Sequence, residues 1–225
     1  MKKVSFLTIA ICLLTVTFVN AQVGQNTGSL GLGIDGGILI PVSGDVTAND
    51  GFGDYFGIGP NFGIHAQYNV IKELSLRTGF TYSFMKMDDE KVDEQGLTGE
   101  PYFTSPYIYL DGVFNLGNYI NQGNSIFNPY AFAGCGMYFW KITDDGVGGD
   151  AIVLENGEEF KKTSFGMRFG AGVEVFATPQ LSVFAEGKYA MIFSEDTDKF
   201  GDDFGNMGLV EITGGLTYYF PLGKN

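Results

Sequence analysis

Met207-Gly208-Leu209-Val210-Glu211-Ile212-Thr213-Gly214-Gly215-Leu216-Thr217-Tyr218-Tyr219-Phe220 is the stretch on which the fold turns. Val210, Ile212, Leu216, Tyr218 and Phe220 fall on one parity, and Glu211, Thr213, Thr217 and Tyr219 on the other. A period of two is the signature of a strand with one apolar and one polar face. Soluble strands usually run about 5 or 6 residues. This one is far longer, and a tilted strand crossing a bilayer needs about 9 to 11 residues.

Working back along the chain, seven more segments show the same alternation. The first spans 30–40, with Leu30, Leu32, Ile34, Ile38 and Ile40 opposite Gly31, Gly33, Asp35 and Gly37. The second (57–69) sets Ile58, Phe62, Ile64 and Tyr68 against Asn61, His65 and Gln67. The third (74–86) sets Leu74, Leu76, Phe80 and Phe84 against Ser75, Arg77, Thr81 and Ser83. In the fourth (103–116), Ile108, Leu110 and Phe114 oppose Tyr107, Tyr109, Asp111 and Asn115. The fifth (128–141) carries apolar residues or glycine on both parities. In the sixth (164–177), Phe165, Met167, Phe169, Val173 and Val175 oppose Arg168 and Glu174. In the seventh (181–193), Leu181, Val183, Tyr189, Met191 and Phe193 oppose Ser182, Glu186 and Lys188.

Links between segments alternate in length. Short ones follow the second and sixth segments, at 70–73 and 178–180, and a medium one, 117–127, follows the fourth. Long ones follow the odd segments, and 20 of the 26 acidic residues lie in them. Five of the other six, Asp35, Asp111, Glu174, Glu186 and Glu211, fall on polar faces, and Glu73 falls in a turn. No acid sits on an apolar face. A charge facing lipid at mid-depth costs about 2–4 kcal/mol, so its absence there carries information.

The expectation is an all-β chain: an eight-stranded antiparallel up-and-down transmembrane β-barrel, with both termini on the short-turn side. A soluble ligand-carrying barrel also has eight strands, with apolar residues inside. Three features favour lipid: strand length, asymmetric loops, and aromatics near strand ends (Tyr68, Phe84, Tyr102, Tyr138, Trp140, Phe193, Tyr218, Phe220) that read as interfacial girdles. Charged residues make up only 17% of the chain, against about 25% in ordinary soluble domains, which agrees.

The N-terminus reads as a secretory signal. Lys2 and Lys3 precede an uncharged apolar run from Val4 to Val19, and Ala21 offers a cleavage site before Gln22. Residues 1–21 are therefore expected to leave, and 22–225 to form the barrel domain. Cys12 lies within the apolar run without the small residues of a lipid-attachment site. Cleavage leaves 11 basic against 26 acidic residues, a balance that excludes nucleic acid as a partner. It also leaves one cysteine, Cys135, so the fold cannot rest on an internal disulfide.

Thr213, Gly215, Tyr218 and Phe220 resemble the C-terminal insertion signal of outer-membrane barrels: polar, any, glycine, two of any kind, aromatic, any, aromatic. Pro221 to Asn225 follow, where many such chains end on the aromatic. Phe169-Gly170-Ala171-Gly172-Val173-Glu174-Val175-Phe176, a turn through Pro179, and Leu181 to Tyr189 are similar to the strand-turn-strand of OmpA/OmpX-like "porin family" barrels. Asn128-Pro129-Tyr130 with Gly134 fits too, and the tail and the Ala21-Gln22 junction resemble barrels of the Bacteroidetes type. The resemblance implies a bacterial outer-membrane location, long loops outside the cell, lipid and lipopolysaccharide as neighbours, handling by the barrel-assembly machinery, and a monomer.

Three constellations could carry chemistry. His65 is the only histidine, and the residues two away, Gly63 and Gln67, supply no nucleophile. It reads as a lumen hydrogen-bonding group, and the chain as a non-enzyme without cofactor. Asp35, His65, Arg77, Asp111, Arg168, Glu174, Glu186, Lys188 and Glu211 together form the expected lumen network. That set could line a narrow passage or plug the interior with ion pairs. An eight-stranded interior is just wide enough for side chains to fill, which favours the plug. Asp196, Asp198, Asp202 and Asp203 could attract Ca²⁺ but lack EF-hand order. They read as a solvated acidic rim, with no dedicated metal site. A non-enzymatic barrel acting structurally or through its loops is the leading reading, with a small-solute porin and a lipid-modifying enzyme as alternatives.

Overall fold

The computed structural model describes residues 27–117, 126–154 and 156–222. The expected signal segment 1–21 and most of the medium link lie outside them. Eight strands follow in order: β1 (Ser29–Ser43), β2 (Gly59–Asn69), β3 (Leu74–Lys86), β4 (Tyr102–Asn115), β5 (Phe127–Thr143), β6 (Lys161–Phe176), β7 (Leu181–Ile192) and β8 (Met207–Pro221). Each pairs antiparallel with its neighbours, and β1 closes on β8 from Ser29 opposite Pro221 to Ser43 opposite Gly208. Closure removes the free strand edges, whose unpaired backbone groups lipid would not tolerate.

Side chains settle which face meets lipid. Ile34 is 61% exposed, Phe62 59% and Leu110 54%, while Arg168 and Asp111 on the opposite parity are 1% and 0% exposed. The apolar face is the outer wall and the charged face the interior. Among the described strand residues, the outward-facing charges are Lys86, Lys141 and Lys161, all at loop-side strand ends. Tyr68, Phe193, Tyr218 and Phe220 face outward as girdle residues.

Tyr138 and Trp140 correct the girdle expectation. Both point inward and are 1% exposed. On β5 either parity could have faced lipid, because alternation is informative only where the two faces differ in polarity. The outer face instead takes Met137 and Phe139.

Several strands run further toward the loop side than their alternation suggested. β5 reaches Thr143 and β6 starts at Lys161, with Lys141 opposite Lys161. Loop residues continue the ladder: Ile142 N–H donates to Phe160 O at 2.9 Å, and Ile152 N–H to Ile142 O at 2.9 Å. The long loops also hold three short helices, α1 (Phe52–Tyr55), α2 (Asp89–Glu94) and α3 (Thr197–Phe200). Asp88 caps α2 by accepting from Glu90 N–H at 2.9 Å.

Candidate functional site

The interior is filled in three tiers. At the short-turn end every strand gives a side chain to one hydrogen-bonded network, which closes as a ring through β2, β3, β4, β5, β6 and β8 and carries Ser29 of β1 and Ser182 of β7 as branches. Asn69 donates to Ser29 (2.7 Å), Ser75 to Asn69 (2.7 Å), Asn115 to Ser75 (3.0 Å), and Asn128 to Asn115 (3.0 Å) and to Glu174 (3.5 Å). Ser182 donates to Glu174 at 2.5 Å and Tyr219 to Glu174 at 2.7 Å. Gln67 donates to Tyr219 and to Asn69, each at 3.4 Å, and completes the circuit. Each of these residues follows from inward parity near the same height on its strand.

The middle tier is ionic. Arg77 bridges Glu186 (2.8 Å) and Asp111 (3.2 Å). Lys188 lies 3.5 Å from Glu186 and 3.3 Å from Glu211. Tyr107, Asn61 and Tyr130 add donors to the carboxylates: Tyr107 to Glu211 at 3.0 Å, Asn61 to Glu211 at 2.8 Å and Tyr130 to Glu186 at 3.0 Å. Arg168 is held differently. Its Nε lies 3.1 Å from Asp111 Oδ1, but the alignment makes no hydrogen bond, and its guanidinium sits 3.8 Å from the centre of the Tyr109 ring. Charge and ring face, rather than directed bonds, neutralise it.

Between these tiers His65 makes two contacts. Nδ1 lies 3.3 Å from Asp35 Oδ2, and Nε2 lies 3.1 Å from Thr217 Oγ1. The ring reaches from β2 to β8 across Gly33 of β1, which pairs with both His65 and Thr217. A side chain at Gly33 would collide with the imidazole. Alternation along β2 does not reveal this hydroxyl, because the partner lies two strands away. Asp35, His65 and Thr217 stand in the order acid, base, hydroxyl. Yet Thr217 is 2% exposed, and the adjoining cavity of about 10 Å³ has room for roughly one water.

The third tier lies at the loop end and was not anticipated. All four long loops feed one apolar cluster: Phe52, Tyr55 and Phe56 from the first, Met87 and Val92 from the second, Ile152 and Phe160 from the third, Phe200 and Phe204 from the fourth. They pack on Leu39, Met85, Phe103, Trp140, Ile192 and Leu209 from the strand tops. Trp140 is central, with ring centres 5.3 Å from Phe200, 5.7 Å from Phe204, 6.1 Å from Phe160 and 6.2 Å from Phe103. Its indole N–H donates to Ser164 at 3.0 Å. The signal was present in the sequence as a few aromatic or aliphatic residues in each acidic loop.

Polar links join the loops in a circle. Lys91 pairs with Asp50 at 3.2 Å, Glu100 N–H donates to Asp145 at 3.1 Å, Asn156 to Lys199 O at 3.0 Å, and Gly205 N–H to Asp45 O at 3.0 Å. Pairing with Glu94 and Asp50 holds the Lys91 ammonium well above its ordinary pKa, and a hydrogen bond from Lys161 holds the Glu159 carboxyl below its own. Asp198, Asp202 and Asp203 face solvent. No group of three potential metal ligands comes together among the described residues.

Thr213, Gly215, Tyr218 and Phe220, expected from the sequence to form an insertion signal, all lie on β8. Thr213 is buried and, with Gly215, on the inward parity; Tyr218 and Phe220 face lipid, with their rings 4.8 Å apart.

A closed wall that is apolar outside and ionic inside, with long loops at one end, defines a small transmembrane β-barrel of the bacterial outer membrane. The sequence agrees: the model of the outer membrane protein beta-barrel domain matches residues 9–220, and the chain belongs to that family. Among solved structures, neisserial surface protein A is 17% identical, with 86% of this chain and 99% of that one covered at a TM-score of 0.56. A major outer membrane protein from Thermus thermophilus is 10% identical, with 85% and 99% covered at a TM-score of 0.50. Both share the fold. None of the curated proteins matches.

Proposed function

We propose that this protein is a non-conducting, non-enzymatic outer-membrane barrel that presents a folded acidic surface to the exterior, acting structurally or by binding through its loops. The observation that carries this reading is the stacking of three seals along one axis: polar ring, ion-pair cluster and aromatic cap. A solute would have to disrupt all three. Breaking a buried ion pair costs about 3–5 kcal/mol, so spontaneous opening of the middle tier alone is rare.

Planar-bilayer recording of the folded protein tests the closed lumen. No steady ohmic openings are expected, and regular openings of uniform conductance would favour the small-solute porin instead. Among the described residues, the acid–histidine–hydroxyl alignment is the feature that favours an enzyme. Against it stand the burial of Thr217 and the lack of room for an acyl or peptide substrate beside it. His65→Ala is expected to leave the acylation pattern of the host outer-membrane lipid unchanged by mass spectrometry, and an altered pattern would sink the non-enzyme reading.

A further inference from the structure

Seven of the described lysines and arginines lie outside the lumen, and four of them, Lys141, Lys161, Lys162 and Lys199, line a single groove. On a chain this acidic, that concentration of cations stands out. The groove measures about 600 Å³ and opens on the outer wall where β3 to β6 reach their loop-side ends. Tyr82, Pro106 and Phe139 form its apolar part.

The wall is interrupted there. Pairing between β4 and β5 runs through Thr104 with Lys141, skips Ser105 and Pro106, and resumes at Tyr107 with Tyr138. Pro106 has no N–H to offer the ladder. Thr104 lines the groove, is 1% exposed, and its hydroxyl has no hydrogen-bond partner among the described residues. A buried hydroxyl without a partner leaves one polar group at the groove wall able to take a further hydrogen bond.

The lysines are held in ways a ligand can replace. Lys141 donates to the carbonyl of Gly149 at 2.6 Å, a neutral partner. Lys161 pairs with Glu159, whose side chain is half exposed, and Lys199 lies 3.6 Å from an exposed Glu158. Lys162 is more firmly engaged, with Asp196 at 3.1 Å, and neutralises the groove's own acid.

We propose that this groove holds the phosphorylated headgroup of an outer-leaflet lipid, with Lys141 and Lys161 on the phosphate and an acyl chain lying along Phe139 and Pro106. Lysines at the end of a lipid-facing strand stand at headgroup depth, and apolar residues below them continue into the hydrocarbon. Charge-assisted hydrogen bonds to phosphate oxygens are the strong kind, and they replace partners exposed to water. The proposal stands whether or not the lumen conducts.

Native mass spectrometry of the folded protein in detergent tests it, using bisphosphorylated lipid A and the same lipid with its phosphates removed. The phosphorylated form is expected to bind about tenfold or more tightly. Lys141→Gln/Lys161→Gln is expected to erase about that margin, and Lys141→Arg/Lys161→Arg to retain it. Lys91→Gln, which removes a rim lysine outside the groove, is expected to bind as the parent does. Heat-dependent gel mobility verifies that each variant is folded. Equal binding of both lipids, equal loss in both glutamine variants, or displacement of the lipid by millimolar inorganic phosphate would each overturn the assignment. The last outcome would make the groove a soluble-anion site.

Discussion

Arg77→Met is expected to cost about 3–5 kcal/mol of unfolding free energy, measured by denaturant titration in lipid vesicles. The substitution keeps an unbranched apolar stem and removes the charge that Glu186 and Asp111 share at 2.8 and 3.2 Å. Asp111 retains Arg168 nearby, whereas Glu186 is left with Lys188 at 3.5 Å as its cation. The penalty arises chiefly from removing the main cation of two buried carboxylates. Adding Glu186→Gln should therefore recover part of it, because a neutral amide is far cheaper to bury. A loss below about 1 kcal/mol would mean that water reaches the cluster, since hydrated pairs are worth that little. Such a result would count against the sealed lumen as well.

Trp140→Ala is expected to be equally severe but local. Truncating a buried tryptophan costs about 3–5 kcal/mol. Trp140 is the ring that Phe160, Phe200 and Phe204 pack against, so the loss should fall on the third and fourth loops. Hydrogen exchange should quicken across 144–160 and 194–206 while the central strands keep their protection. Trp140→Phe should retain most of the protection, losing the bond to Ser164 and some contact. Unchanged exchange in Trp140→Ala would mean that the loops are held by their polar links alone.

Strand identity was legible because lipid and lumen demand opposite chemistry. Where the two faces differ, as in Leu74 to Lys86, even the strand limits follow from the pattern. Where they do not, as on β5, parity is undetermined, and Tyr138 and Trp140 face inward against the girdle expectation. Alternation also places a residue on the inner face without saying which inner residue it meets. Arg77 and Glu186 lie 109 positions apart, and His65 and Thr217 152 apart, and only closure brings them together. The cap escaped notice for another reason. Acids dominate the composition of the long loops, and they conceal the few apolar side chains in each that choose the interior.

The polar ring at the short-turn end bears on how barrels of this kind change size. Each strand places its ring member near one height, and the neighbours along the chain are apolar: Tyr68 beside Asn69, Leu74 and Leu76 flanking Ser75, Phe114 beside Asn115. A one-residue slip would swap a ring member for one of these and cut its links on both sides. Duplicating or deleting a hairpin would likewise open the circuit, because an inserted pair must supply two groups that fit between existing donors and acceptors. The network thus ties strand register to a fixed set of side chains at the short-turn end.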